Sequence, residues 1–247
     1  MKSQVLRKKR KPTLQVTDER RLQEGKDRIS SAAISLFLVD GYHNTSVREI
    51  AQKAGLSVGS VFNYFTSKEE ILFFLLSYGQ VRMGTQLREQ RAEFERLKRD
   101  GLNPRDLFLR AYADYARLTD ELRRNAVLAY QETKSLTRVE RERFLEGEER
   151  IQNFFEDMIS YGVEQGAFPA GSIHLKAHCL LVLAQSWAVR HWALTSFTKL
   201  DDYLEPLKIL AVSILESDAG ELPYAQKLLA TQQAQNADHV SHPTGTA

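Results

Sequence analysis

Thr45-Ser46-Val47-Arg48-Glu49-Ile50-Ala51-Gln52-Lys53-Ala54-Gly55-Leu56-Ser57-Val58-Gly59-Ser60-Val61-Phe62-Asn63-Tyr64-Phe65 is the stretch whose reading decides the fold. Val47, Ile50, Ala51 and Ala54 fall on one helical face. After the interruption at Gly55, Val58, Val61, Phe62 and Phe65 repeat the same i, i+3, i+4, i+7 spacing. Ser46 and Ser57 stand where N-caps belong, and Glu49, three residues after Ser46, completes a capping box. Ala51 is small where the two helices must touch, and Gly55 supplies the positive φ of the turn between them. Helices this short are not stable alone, so a third helix must cover them. The pattern is that of a helix-turn-helix packed through Ala51, Leu56 and Val61, whose second helix presents Val58, Gly59, Ser60, Asn63 and Tyr64 outward. Short side chains there allow close approach to the edges of DNA bases. Taken alone, the same spacing also fits a helical hairpin with no ligand.

Working outward, Ile29, Ala33, Leu36 and Phe37 form the stripe of a covering helix that starts near Asp18 and ends at Gly41. Ahead of it, Arg7, Lys8, Lys9, Arg10 and Lys11 run together with almost no apolar residue, which predicts a disordered basic arm over 1–17. Residues 1–80 hold thirteen Lys and Arg against eight Asp and Glu, a balance of +5, so the rest of a +2 chain carries −3. The positive field therefore lies on the helix-turn-helix part, where a polyanion can use it. Basic arm, basic covering helix, helix-turn-helix and Lys68 at the start of the next helix together point to DNA binding. The arm itself reads as a nonspecific electrostatic contribution, with minor-groove insertion and a plain solubilising tail as alternatives.

Gly41-Tyr42, Thr45 to Ala51, Ala54 to Ser60, Phe62 to Phe65 and Ser67-Lys68-Glu69-Glu70 together resemble the TetR family of bacterial repressors over about residues 20–75. That resemblance implies an all-α homodimer with a three-helix DNA-binding domain, followed by a larger helical domain that binds an effector and dimerises. It also implies residue roles. Thr45 and Ser46 would hold phosphate, Val58, Gly59 and Ser60 would face bases, and Tyr64 and Lys68 would grip the DNA backbone. Phe62 departs from the usual tyrosine and lacks its hydroxyl. Arg48 reads as either a phosphate contact or a surface charge. With Ser57 and Asn63, these residues form the expected DNA-binding set. The domains expected are the arm at 1–17, the DNA-binding domain at 18–67, a ligand-binding and dimerisation domain at 68–218 and a disordered tail at 219–247.

The remainder is helical by the same periodicity, with helices expected over 68–99, 104–119, 121–135, 138–165, 173–197 and 201–217. Six prolines and thirteen glycines in 247 residues argue against a turn-rich β protein. Helix 173–197 is apolar nearly all round. It is therefore assigned, with the last helix and its Leu204, Leu207, Ala211, Ile214 and Leu215, to a homodimer bundle, with an internal core helix as the alternative. An aromatic-lined cavity in this part suits a small molecule. Tyr112, Tyr115, Tyr130, Gln131, Phe155, Gln185, Trp187 and Arg190 are the candidate ligand contacts, with a core or surface role as the competing reading for each. The runs from Ala129 to Ser135 and from Trp187 to Leu194 resemble TetR-family regulators of fatty-acid and acyl-coenzyme A metabolism. This second resemblance implies an elongated apolar pocket with Arg190 near the head group.

Cys179 among leucines reads as a small buried apolar residue in a reducing compartment. His174 and His178 have chelating spacing but no third ligand, so no metal and no cofactor are expected. No catalytic motif with a mechanism behind it occurs, which argues against an enzyme. No apolar run spans a bilayer and no signal core follows the basic start, so the expected location is the cytoplasm, without membrane association. The function expected is a DNA-binding transcriptional regulator, a repressor released from a palindromic operator by a small apolar effector such as a fatty acyl-coenzyme A. The alternatives are a repressor answering another hydrophobic compound, such as a drug, and a ligand-independent DNA-binding protein.

Overall fold

A computed structural model describes residues 19–217, so the basic arm and the tail read from the sequence lie outside the described residues. The described residues form ten α-helices and one 3₁₀ turn, without a strand: α1 Glu19–Asp40, α2 Val47–Ala54, α3 Val58–Val61, α4 Lys68–Arg99, α5 Pro104–Glu121, α6 Arg123–Glu132, the 3₁₀ turn Thr133–Ser135, α7 Arg138–Glu164, α8 Ile173–Val189, α9 His191–Leu194 and α10 Leu200–Glu216. Helix 121–135 of the sequence reading is thus α6 closed by the 3₁₀ turn.

Two expectations are corrected. The helix foreseen over 173–197 ends at Val189, where Arg190 leaves helical geometry at φ −104° and ψ 18°, and a short α9 follows. Neither Gly nor Pro marks that break. The chain is held there by Trp187, whose indole donates to Asp120 Oδ1 at 3.0 Å, with the His191 ring packed edge-on against it. Cys179, expected to be buried, is exposed. It lies on the outer side of α8 with exposed Leu175 and Val182, while Ala177, Leu180, Leu181 and Ala184 take the inner side.

The chain forms two compact units that do not coincide with a cut at residue 67. Among the described residues, the first joins those from 19 to 82 to Leu122–Gly147, and the second joins Met83–Glu121 to those from 148 to 217. In the first unit one core gathers Ile29, Ala33 and Phe37 of α1, Ile50 and Ala51 of α2, Val61 of α3 and Ile71 and Leu72 of α4, all essentially without solvent contact. The same core takes in Leu128, Leu136 and Phe144 from the later segment. The eight residues of α2 and four of α3 are therefore held by burial against α1 and α4, since their own hydrogen bonds would not keep them folded. In the second unit Phe108, Tyr112, Tyr115 and Phe155 are fully buried and meet through edge contacts and one stack, with ring centroids 5.3 to 6.3 Å apart. Gly162 of α7 belongs to this packing: a Cβ there would lie 2.1 Å from the Phe168 ring.

Candidate nucleic-acid interface and sensing unit

The helix-turn-helix is fixed at each of its ends by side chains close in sequence or on the covering helices. At the start of α2, Ser46 Oγ accepts from the Glu49 amide at 3.2 Å, and Glu49 Oε2 accepts from the Ser46 amide at 2.7 Å. The Ser46 amide, followed by its hydroxyl, holds the Glu49 carboxyl below the ordinary carboxylate range. At the other end Gly55, at φ 65°, donates to Gln52 O while Leu56 donates to Ala51 O, the paired bonds of a Schellman stop. Two carbonyls left over there, Ala54 O and Gly55 O, accept from Arg28 Nη2 of α1 at 2.6 and 3.1 Å. α3 then begins at Ser57, whose Oγ accepts from the Ser60 amide at 3.0 Å and lies 2.8 Å from Ser60 Oγ.

The outer side of α3 is left open. Val58, Gly59, Phe62 and Asn63 are exposed, Phe62 at 49% despite its apolar ring, with exposed Ser46, Arg48 and Ser57 nearby in the chain. Gly59 is informative because the fold does not ask for it. Its φ is not positive, and a Cβ would meet only Ser57 Oγ at 3.9 Å, an ordinary contact. What its missing side chain leaves free is space outside the protein. Tyr64 is half-buried and lies against Gly25 of α1, where a Cβ would come 2.3 Å from the ring.

Thr45 and Lys68 face inward. The Thr45 side chain is buried and its hydroxyl donates to Gly41 O at 2.9 Å. Lys68 Nζ, in the first turn of α4, donates to Tyr42 O and Thr45 O, each at 2.9 Å, and rests 4.3 Å from the Tyr42 ring centroid. The ammonium thus ties the loop that precedes α2. Tyr42 itself donates to Glu69 Oε1 at 3.3 Å, and burial, then the Glu69 charge, pushes its phenol well above the usual range, so it stays a neutral donor.

In the second unit the structure brings Tyr112, Tyr115, Phe155, Gln185 and Trp187 into the packed interior. Tyr112 OH donates to Leu180 O at 2.8 Å, and burial pushes its phenol far above the ordinary value. Gln185 Nε2 donates to Tyr115 OH at 2.8 Å. Tyr130 and Gln131 are exposed on α6 of the first unit, and Arg190 is exposed with its guanidinium 5.3 Å from the Trp192 ring. His174, one of the chelation-spaced pair, lies with Nδ1 2.7 Å from Glu156 Oε1.

Open space in this unit lies elsewhere. A small void of about 20 Å³ sits among α4, α5 and α7, with Gln90, Phe94, Leu107, Ala111 and Met158 in its wall. A cleft of about 250 Å³ between α4 and α7 shares Phe94 and Met158 with it and adds Arg91, Lys98 and Tyr161. None of these residues was among the candidate ligand contacts read from the sequence. One signal was available: Met83, Leu87, Gln90, Phe94 and Leu97 form a single stripe of α4, and Gln90 is its one polar member.

A capped helix-turn-helix together with a second compact helical unit, with no strand among the described residues, defines a helix-turn-helix transcription regulator. The profile of bacterial regulatory proteins of the tetR family matches residues 29–73, and that of the tetracyclin repressor-like C-terminal domain matches residues 101–192. The HTH-type transcriptional regulator HbdR of Aromatoleum sp. (strain CIB) is 30% identical over 211 residues, spanning 85% of this chain and 89% of the relative. The chain belongs to the TetR family. Two solved structures share the fold. AibR, in complex with isovaleryl coenzyme A and operator DNA, is 20% identical with a TM-score of 0.59, over 78% of this chain and 98% of that one. FadR of Bacillus subtilis, in complex with stearoyl-CoA, is 19% identical with a TM-score of 0.58, over 76% and 97%. The relatives are transcription regulators, and among the described residues no helix is long and apolar enough to cross a membrane.

Proposed function

We infer that this regulator is a homodimeric repressor that reads a palindromic operator with the outer side of α3 and leaves it when an acyl-coenzyme A occupies the second unit. The observation that carries the reading of DNA is the open outer side of α3, where Gly59 answers no internal demand. Val58, Gly59, Ser60 and Asn63 are assigned to base edges, and Ser46, Arg48, Ser57 and Tyr64 to phosphate, with Phe62 giving apolar contact. Thr45 and Lys68 serve the same surface as its inner supports; direct phosphate contact by Lys68 requires its ammonium to leave the loop carbonyls.

Dimerisation is assigned to α8 and α10, on which Leu175, Val182, Ile209 and Leu210 are exposed although apolar. A two-fold pair places the two reading helices about 34–36 Å apart, one turn of DNA. α4 and α7 each contribute residues to both compact units, so the effector's influence has a covalent route to the reader. The effector class is supported by the coenzyme A esters held by AibR and FadR, two proteins of the same fold. The effector can shift the equilibrium only by its difference in affinity for the two states.

The test is a fluorescence titration at fixed salt against DNA from upstream of the protein's own coding sequence and against a scrambled duplex, with and without isovaleryl- and stearoyl-coenzyme A. Selective binding relieved by a thioester is the expected result. Selective binding indifferent to both discards the effector class and keeps the DNA reader. Equal affinity for both duplexes overturns the operator reading.

A further inference from the structure

Gln90 is 6% exposed, and neither its Nε2 nor its Oε1 has a hydrogen-bond partner among the described residues. Whichever way the amide is turned, a donor and an acceptor are both left without a match. This is the reverse of what a buried polar group in a finished core does, since such groups are nearly always paired. The amide lines the void among α4, α5 and α7, and the rest of that wall is largely apolar: Phe94, Leu97, Leu107, Ala111 and Met158. The charged residues of the lining are Glu93 and Arg110, bound to each other at 2.8 Å, and Asp114, paired with Arg117 at 3.5 Å.

At about 20 Å³ the void holds little more than one water. Its wall is shared: Phe94 and Met158 also line the cleft of about 250 Å³ between α4 and α7. Methionine is unbranched and adapts its shape readily. A shift of these two side chains would join the void to the cleft and bring Gln90 to the inner end of one elongated site.

We propose that Gln90 is the polar anchor of the effector site and that the effector presents two successive secondary amides to it. The reason is stoichiometric. A carboxylate has acceptors only and leaves Gln90 Oε1 unmatched, and an ammonium leaves Nε2 unmatched. A trans secondary amide points its N–H and C=O in opposite directions, so one amide satisfies one Gln90 atom, and two amides in succession satisfy both, one through its C=O and the other through its N–H. The pantetheine arm of a coenzyme A thioester carries such amides close to the acyl group, so the inference rests on, and narrows, the acyl-coenzyme A reading above. The volume of the cleft favours a short acyl chain over a long one.

Direct binding to the full-length protein tests this without DNA, by calorimetry with isovaleryl-coenzyme A and with isovaleric acid, on the wild type, on Gln90→Met and on Gln90→Asn. Methionine keeps the bulk and removes both polar atoms. The expected result is that the thioester binds the wild type, that the acid binds at least tenfold more weakly, and that Gln90→Met weakens the thioester at least tenfold. Gln90→Asn, which keeps the amide on a shorter stem, recovers part of the loss. Equal affinity of wild type and Gln90→Met for the thioester overturns the proposal and leaves Gln90 as a water-satisfied core residue. So does preference for the acid, or absence of binding to a wild type that still selects its operator. Should Gln90→Met fail to fold, the acid-to-thioester preference of the wild type and the Asn variant decide alone. The operator titration is separate, so loss of the Gln90 role and loss of the repressor reading register in different measurements.

Discussion

The two compact units differ in how their polar groups are used, although each holds a buried side-chain polar atom without a hydrogen-bond partner among the described residues, Ser30 Oγ in the first and the Gln90 amide in the second. Around the reading helix several polar side chains are committed inside the protein, Ser46 with Glu49, Ser57 with Ser60, Arg28 at the end of α2, and Thr45 and Lys68 on the loop before it, while Arg48 and Asn63 stay exposed. In the second unit a buried amide is left unmatched beside a void and a cleft. A surface that must match bases in register gains from being rigid before contact, because ordering it on binding costs affinity. A surface that must answer a small molecule gains from being incomplete until the molecule arrives. The contrast is one of preorganisation against incompleteness, and it can be tested from both sides.

The largest effects come from the two cores. Phe37→Ala in the first unit and Phe155→Ala in the second each remove a fully buried ring, and each is expected to cost about 3–5 kcal/mol. If the units are energetically distinct, urea unfolding of Phe37→Ala shows an early loss of operator binding with effector binding retained, and Phe155→Ala shows the converse. A single shared transition for both variants would break the comparison at its base.

Lys68 sharpens it next. As a tie on two loop carbonyls, its loss in Lys68→Met is expected to lower stability by about 1.5–3 kcal/mol, the range for hydrogen bonds to a charged group. The slope of log affinity against log salt should stay unchanged. A stable variant whose slope falls by about 1 would instead mark Lys68 as a phosphate contact.

Gly59→Ala separates fold from function by sign. With open space around the new Cβ, stability is expected to rise by about 0.5–1 kcal/mol, as for glycine to alanine inside a helix. Operator affinity should fall tenfold or more at fixed salt, since the space belongs to the DNA. Unchanged affinity would remove α3 from the base edges.

The smallest effect concerns the α2 cap. Because the Ser46 amide holds the Glu49 carboxyl below its unfolded value, the charged cap contributes above the ordinary carboxylate range. That contribution is lost as pH falls through the depressed folded value. Glu49→Gln should therefore flatten the acid limb of the stability profile of the first unit and leave it unaltered near neutrality apart from a constant offset. An acid limb identical to that of the wild type would show that the cap does not report on folding.

How much of this was legible in the sequence differs between the units for the same reason. Helix boundaries at α1, α4 and α5, the capping box, the Gly55 turn and the exposed members of α3 could be read because caps, turns and amphipathic stripes are set by residues within a few positions of one another. The inward roles of Thr45 and Lys68 could not, since Lys68 is fixed by carbonyls 23 and 26 residues away. The aromatic residues of the second unit were visible as a group, yet a Phe or Tyr stripe looks alike whether it closes a core or lines a cavity. Tyr112 and Tyr115 prove to be fully buried, with their hydroxyls engaged by Leu180 and Gln185. The break at Arg190 and the exposure of Cys179 escaped because a helix apolar all round has no face to read.

By itself the sequence determined the all-helical class, the order of the helices, the helix-turn-helix and the exposure of Val58, Gly59 and Asn63, since each follows from local periodicity and capping. Only the tertiary structure decided that Leu128, Leu136 and Phe144 complete the core under the reader, and that Gln90 alone on its stripe lacks a partner beside open space. Those are properties of how segments distant in sequence fill or fail to fill the volume between them, and no local pattern encodes a volume.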